Sequence, residues 1–130
     1  LGYQQPGIRL PLEESDARLR SALLAHQAWI GEGCDSSLIA LTASEVDAFI
    51  FLNLGVPACQ ENCRNRPGEP HKYSSPAAQD KNLAMLLTWV ADYVTRDDEF
   101  SLKAHRDLFD RFAGPKHELR TAQEISNFHI

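Results

Sequence analysis

The sequence predicts an all-α fold, a compact bundle of about five helices with one long Pro-rich loop over residues 56–74. Three observations point to it. Apolar residues recur at helical spacing along most of the chain. Ser, Thr, Gly and Pro stand where helices start and stop. The connections between the periodic stretches are brief apart from that one loop.

Residues 1–11, with Gly2, Pro6, Gly7 and Pro11, are expected as an extended arm, and residues 12–130 as a single helical domain. The first helix is expected from Pro11 or Ser15 to Ile30, with Leu19, Leu23, His26 and Ile30 on one face; Gly31 and Gly33 end it. A second helical region follows Cys34-Asp-Ser-Ser37. Thr42-Ala-Ser-Glu45 has the form of a capping box, in which hydroxyl and carboxylate satisfy two free N–H groups. Val46, Phe49, Ile50 and Leu54 extend that pattern until Gly55 and Pro57. Phe49-Ile-Phe-Leu52 also suits a short strand, but the upstream box and downstream Gly favour helix.

The loop 56–74 carries Pro57, Pro67 and Pro70, with Gly68 at its expected mobile tip. Ser75-Pro76 is a strong helix start. Leu83, Leu86, Leu87, Val90 and Val94 form a wide apolar stripe, so residues 76–94 are expected as one continuous helix with Leu86, Leu87 and Val90 nearly inaccessible. Asp97-Asp-Glu99 is expected as a solvated turn. Ser101 leads a fourth helix, with Leu102, His105, Leu108, Phe109 and Phe112 inward, Arg106 and Asp107 outward, and Gly114-Pro115 at its end. A second capping box, Thr121-Ala-Gln-Glu124, opens a short last helix with Ile125 and Phe128 inward.

A length of 130 residues fits one domain. A net charge of −5 with scattered basic residues argues against nucleic acid as a partner. No apolar run approaches the roughly 20 residues needed to span a bilayer. The chain opens at Leu1 rather than Met, which leaves room for an upstream part, so the lack of a signal pattern fixes no compartment.

Cys59-Gln-Glu-Asn-Cys63, with His71 further on, is the most distinctive cluster. Three readings stand beside one another. The cysteines are unlinked and partly buried; or two of them form a disulfide; or Cys34, Cys59, Cys63 and His71 hold zinc in a metal-stabilised helical module. Cys34, at an expected helix start, is the candidate nucleophile of a small cysteine-dependent enzyme, with the Cys59/Cys63 pair as its alternative. Asp35 beside it opposes ionisation. His105-Arg-Asp-Leu108 reproduces four letters of the protein-kinase catalytic loop, but the Asn that holds magnesium does not follow.

No complete catalytic constellation is present. The favoured expectation is therefore a non-catalytic helical protein–protein interaction domain, the terminal part of a larger protein, with no cofactor. It is expected to recognise a protein partner through the 56–74 loop. Arg64, Arg66 and His71 are the expected contacts, because they are the donors on that loop and give it local positive character on an acidic chain.

Overall fold

The computed structural model describes residues 3–5, 8–70 and 72–129. The chain divides into two compact units, Leu1–Val46 and Asp47–Ile130.

In the first unit β1 (Tyr3–Gln5) pairs antiparallel with β2 (Ile8–Arg9), Tyr3 opposite Arg9 and Gln5 opposite Ile8. Two helices follow, α1 (Leu12–Leu24) and α2 (Ser36–Thr42). α1 stops six residues short of Ile30, which leaves His26 exposed and Ile30 at 86% exposure, so neither lies on an inner face. Arg20 of α1 bonds to Asp16, donates to Glu45 at 2.6 Å and reaches the Leu41 carbonyl. Asp35 caps α2 by accepting from the N–H groups of Ser37 and Leu38.

Thr42 is not an N-cap. It ends α2, its hydroxyl donates to the Ile39 carbonyl, and the Glu45 N–H bonds to the Thr42 carbonyl. Both arms of the expected box are therefore spent elsewhere, since the Glu45 carboxylate is held by Arg20.

The second unit runs β3 (Phe49–Leu52), α3 (Val56–Arg64), α4 (Pro76–Ala91), α5 (Leu102–Arg111), β4 (Lys116–Leu119) and α6 (Ala122–Asn127). The chain is helix-rich, as expected, but not plainly all-α. Phe49-Ile-Phe-Leu52 is a strand and pairs in parallel with Lys116-His-Glu-Leu119, Phe49 opposite Lys116 through Leu52 opposite Leu119. Aromatic and β-branched side chains suit a pleated, half-buried surface, and here that preference prevails over the helical spacing. α5 covers the sheet. Phe49 stacks against Phe109 and Phe112 at 5.9 and 5.7 Å between ring centroids, and Phe51 against Phe109 at 5.8 Å. Phe51, Phe109 and Leu119 are buried.

Half of the expected 56–74 loop is helix. Gly55 adopts φ +84°, a conformation that a side chain disfavours, and turns the chain from β3 into α3. Pro57 falls in the first helical turn, where its missing N–H costs nothing. α4 begins at Pro76, capped by the Ser75 hydroxyl on the Ala78 N–H. It ends at Ala91, and Asp92–Val94 tighten into a 3₁₀ turn. Leu86, Leu87 and Val90 are half-buried rather than inaccessible, because the main packing partner of α4 is the shorter helix α3, and Met85 is left 58% exposed. Arg96 closes the helix end by stacking on Trp89 at 4.4 Å and donating to the Trp89 carbonyl at 2.8 Å.

α5 is capped by Ser101. α6 carries the complete Thr121–Glu124 box, with the Thr121 hydroxyl accepting from the Glu124 N–H and the Glu124 carboxylate accepting from the Thr121 N–H.

Candidate functional site

The α3–α4 hairpin brings together most of the residues singled out in the sequence. α3 presents Cys59 and Cys63 four residues apart, which places them on one face of the helix. Both thiols are half-buried and no disulfide joins them. Burial, then the neighbouring Cys63, push the Cys59 thiol above its ordinary pKa. Gln60 on the same helix reaches across to the Leu87 carbonyl of α4 at 3.0 Å and ties the two helices together.

The connecting segment 65–75 is pinned by amide side chains of α4. Gln79 donates to the Pro67 carbonyl at 3.1 Å and accepts from the Glu69 N–H at 2.9 Å, so both sides of Gly68 are held to the helix. Asn82 donates to the Tyr73 hydroxyl at 2.9 Å. Between loop and helix lies a cleft of about 50 Å³, bordered by Cys63, Arg64, Arg66, Tyr73, Leu83 and Leu86. Its rim is charged. Arg64 faces Glu61 at 3.5 Å, Arg66 faces Glu69 at 3.5 Å, and Lys72 faces Glu69 at 3.8 Å. Arg64, Arg66 and Lys72 are all exposed. His71, the third expected contact, lies outside the described residues.

The other sequence candidates are placed differently. Cys34 is an exposed residue of the first unit, just before α2. Partial desolvation of its thiol, then the charge of Asp35, raise its pKa, which is the opposite of what a nucleophile needs. Among the described residues no three His, Cys, Asp or Glu side chains converge as a metal-binding group. No helix there is long and apolar enough to cross a membrane. His105 lies on the inner face of α5 as expected, with the Tyr93 hydroxyl 2.9 Å from its Nδ1.

Arg106 is not outward. It forks onto Glu118 of β4, with N–O distances of 3.0 and 2.5 Å, and its guanidinium lies 5.0 Å from the centre of the Phe51 ring. Arg120 and Asn53 also donate to Glu118, at 2.9 and 2.8 Å. These donors, Arg106 first, hold the Glu118 carboxyl well below the usual carboxylate range. Nothing in the sequence pairs Arg106 with Glu118, which lie on different elements, α5 and β4.

No protein-family model, curated protein or solved structure matches the chain.

Proposed function

We propose that the chain is a non-catalytic protein-interaction domain that recognises an acidic segment of a partner protein through the tip of the α3–α4 hairpin. The observation that carries this reading is the pair of hydrogen bonds between Gln79 and the loop, one donated to the Pro67 carbonyl and one accepted from the Glu69 N–H. It fixes the turn on which Arg66 and Lys72 stand, beside Arg64 at the end of α3, so the backbone that carries them is held before a partner arrives. Preorganised donors lose less entropy on binding. Their present ion pairs are long and solvent-exposed. Such pairs are worth about 0–1 kcal/mol each and exchange readily for a partner's carboxylates. Within residues 64–72 three cationic side chains stand against one carboxylate, Glu69, on a chain whose net charge is −5. That contrast orients an acidic ligand towards the hairpin. The raised pKa of Cys34 favours this reading over the thiol enzyme.

The test compares the full chain with Arg64→Ala/Arg66→Ala as bait for cellular partners, at low and at high salt. A partner held by the wild type is expected to bind at least about tenfold more weakly to the double variant, and more weakly at high salt, as rim charges dictate. Equal binding by both baits, with protection from hydrogen exchange on other elements, moves the site away from the hairpin.

A further inference from the structure

We propose that Glu69 is an internal competitor for the cationic hairpin tip, so that only a ligand offering several acidic groups at once displaces it. The inference rests on the reading of that tip as a site for acidic segments, and it names the ligand class the tip admits. The backbone of Glu69 is held from both sides. Its N–H donates to the Gln79 side chain at 2.9 Å, and its carbonyl accepts from the N–H groups of Lys72 and Tyr73 at 2.9 and 3.0 Å. The carboxylate stands between two cations, 3.5 Å from Arg66 and 3.8 Å from Lys72. It is the more enclosed partner in both pairs: the Glu69 side chain is 22% exposed, against 43% for Arg66 and 51% for Lys72. The anion is thus anchored by its backbone, whereas the cations are long side chains that reach solvent. Engaging a ligand turns them away from Glu69.

A carboxylate already seated within the chain is what an incoming carboxylate has to replace. One acidic group exchanged for another gains little, and association carries its own entropic cost. A single carboxylate is therefore a poor ligand. A segment with two or more also engages Arg64, which borders the same cleft and whose own partner, Glu61, is exposed and 3.5 Å away. The contacts formed then outnumber those given up. The tip with Arg66 and Lys72 on Glu69 is the closed form, and apparent affinity is reduced by the fraction of chains in the open one. That reduction is the same for every ligand that needs both cations. Removing the Glu69 charge should accordingly raise all such affinities by one common factor. Exposed ion pairs are individually weak, which makes the expected factor about three to ten.

The experiment follows the fluorescence anisotropy of two labelled synthetic peptides mixed with the full chain at about 0.15 M salt. One peptide carries six consecutive glutamates; the other carries a single glutamate in a Gly-Ser sequence of equal length. The wild type should hold the six-glutamate peptide and leave the other unbound. Glu69→Gln should tighten binding of the six-glutamate peptide about three- to tenfold. Asp80→Asn is the control. Asp80 borders the same cleft, so its substitution removes an equal charge nearby. It should tighten binding less than about twofold, the share left to a screened long-range field. Glu69→Gln keeps the backbone bonds of the turn, so a loosened turn would show as weaker binding and would count against the proposal. A gain no larger than that of Asp80→Asn overturns the competitor. The site itself would still stand if Arg64→Ala/Arg66→Ala weakened binding at least about tenfold. Equal binding of the two peptides by the wild type overturns the ligand class. If neither the wild type nor Glu69→Gln holds the six-glutamate peptide, the site falls and the competitor falls with it.

Discussion

The α3–α4 hairpin and the β3–α5–β4 layer belong to one compact unit and are held together by different chemistry. The layer packs rings: Phe49, Phe51, Phe109 and Phe112 interlock, and Arg106 seals their edge while forking onto Glu118. Three of its side chains, Phe51, Phe109 and Leu119, are buried. No residue of α3 or α4 reaches that degree of burial. The hairpin relies instead on amide side chains, Gln60, Gln79 and Asn82, that cross from one segment to another. Ring packing contributes kilocalories per side chain, whereas a hydrogen bond nets about 1 kcal/mol. The layer is thus the stable platform. The hairpin is the element shaped by polar contacts at modest cost in stability, which suits a surface used for recognition.

Phe109→Ala should break the comparison at its strongest point. Removing the ring that contacts both Phe49 and Phe51 is expected to cost about 3–5 kcal/mol in urea unfolding. A loss under about 1 kcal/mol would mean that the layer is not the platform. Glu118→Gln comes next. Its carboxylate accepts from Arg106, Arg120 and Asn53, and hydrogen bonds to charged groups are worth about 1.5–3 kcal/mol, the loss expected at pH 7. The sign with pH follows from the depressed pKa of Glu118. Its stabilisation is complete above the unfolded carboxylate value of about 4.3 and drains away as pH falls below that. The gap between wild type and variant should therefore narrow on acidification below about pH 4. A gap unchanged at low pH would show that the charge of Glu118 is not the cause.

The same contrast explains which parts of the fold were legible in the sequence. Ser75-Pro76, Ser101 and the Thr121–Glu124 box behave as expected because a cap is decided within one turn of chain. Thr42-Ala-Ser-Glu45 carries the same letters and fails, because Arg20, distant in sequence, takes the glutamate. Gly55 and Pro57 are ambiguous punctuation. They suit the end of a helix, but here Gly55 precedes one and Pro57 sits in its first turn. β4 has little strand character of its own, since Lys116-His-Glu-Leu119 becomes a strand only by lying beside β3. The Arg106–Glu118 fork joins α5 to that strand and was hidden with it. The thiol pair was visible by spacing, but its placement on one helix face required α3 to be a helix rather than a loop.

Gln79→Ala probes the hairpin's own cohesion. Two hydrogen bonds to the loop disappear, and the Glu69 N–H loses its partner. About 1 kcal/mol of stability should be lost, because the freed groups lie near enough to solvent to find water. The more telling readout is local. Hydrogen exchange at Glu69 should accelerate while that of β3 and α5 stays as it was. Acceleration throughout the unit would mean that the hairpin and the layer unfold together, and would remove the contrast.

The smallest effect on stability is expected from Arg64→Ala/Arg66→Ala. Arg64 meets Glu61 and Arg66 meets Glu69 only at 3.5 Å, with both guanidinium side chains more than two-fifths exposed. Exposed pairs of this kind contribute about 0–1 kcal/mol, reduced further by salt. Removing both arginines also frees Glu61 and Glu69 to be hydrated, which returns part of what is lost. The melting temperature should accordingly move by no more than a few degrees, and less at high ionic strength. Affinity for an acidic partner should fall far more steeply than stability. A fall in melting temperature comparable to that of Glu118→Gln would show that the arginines hold the hairpin together. They would then belong with the platform, and recognition would have to be sought on another surface.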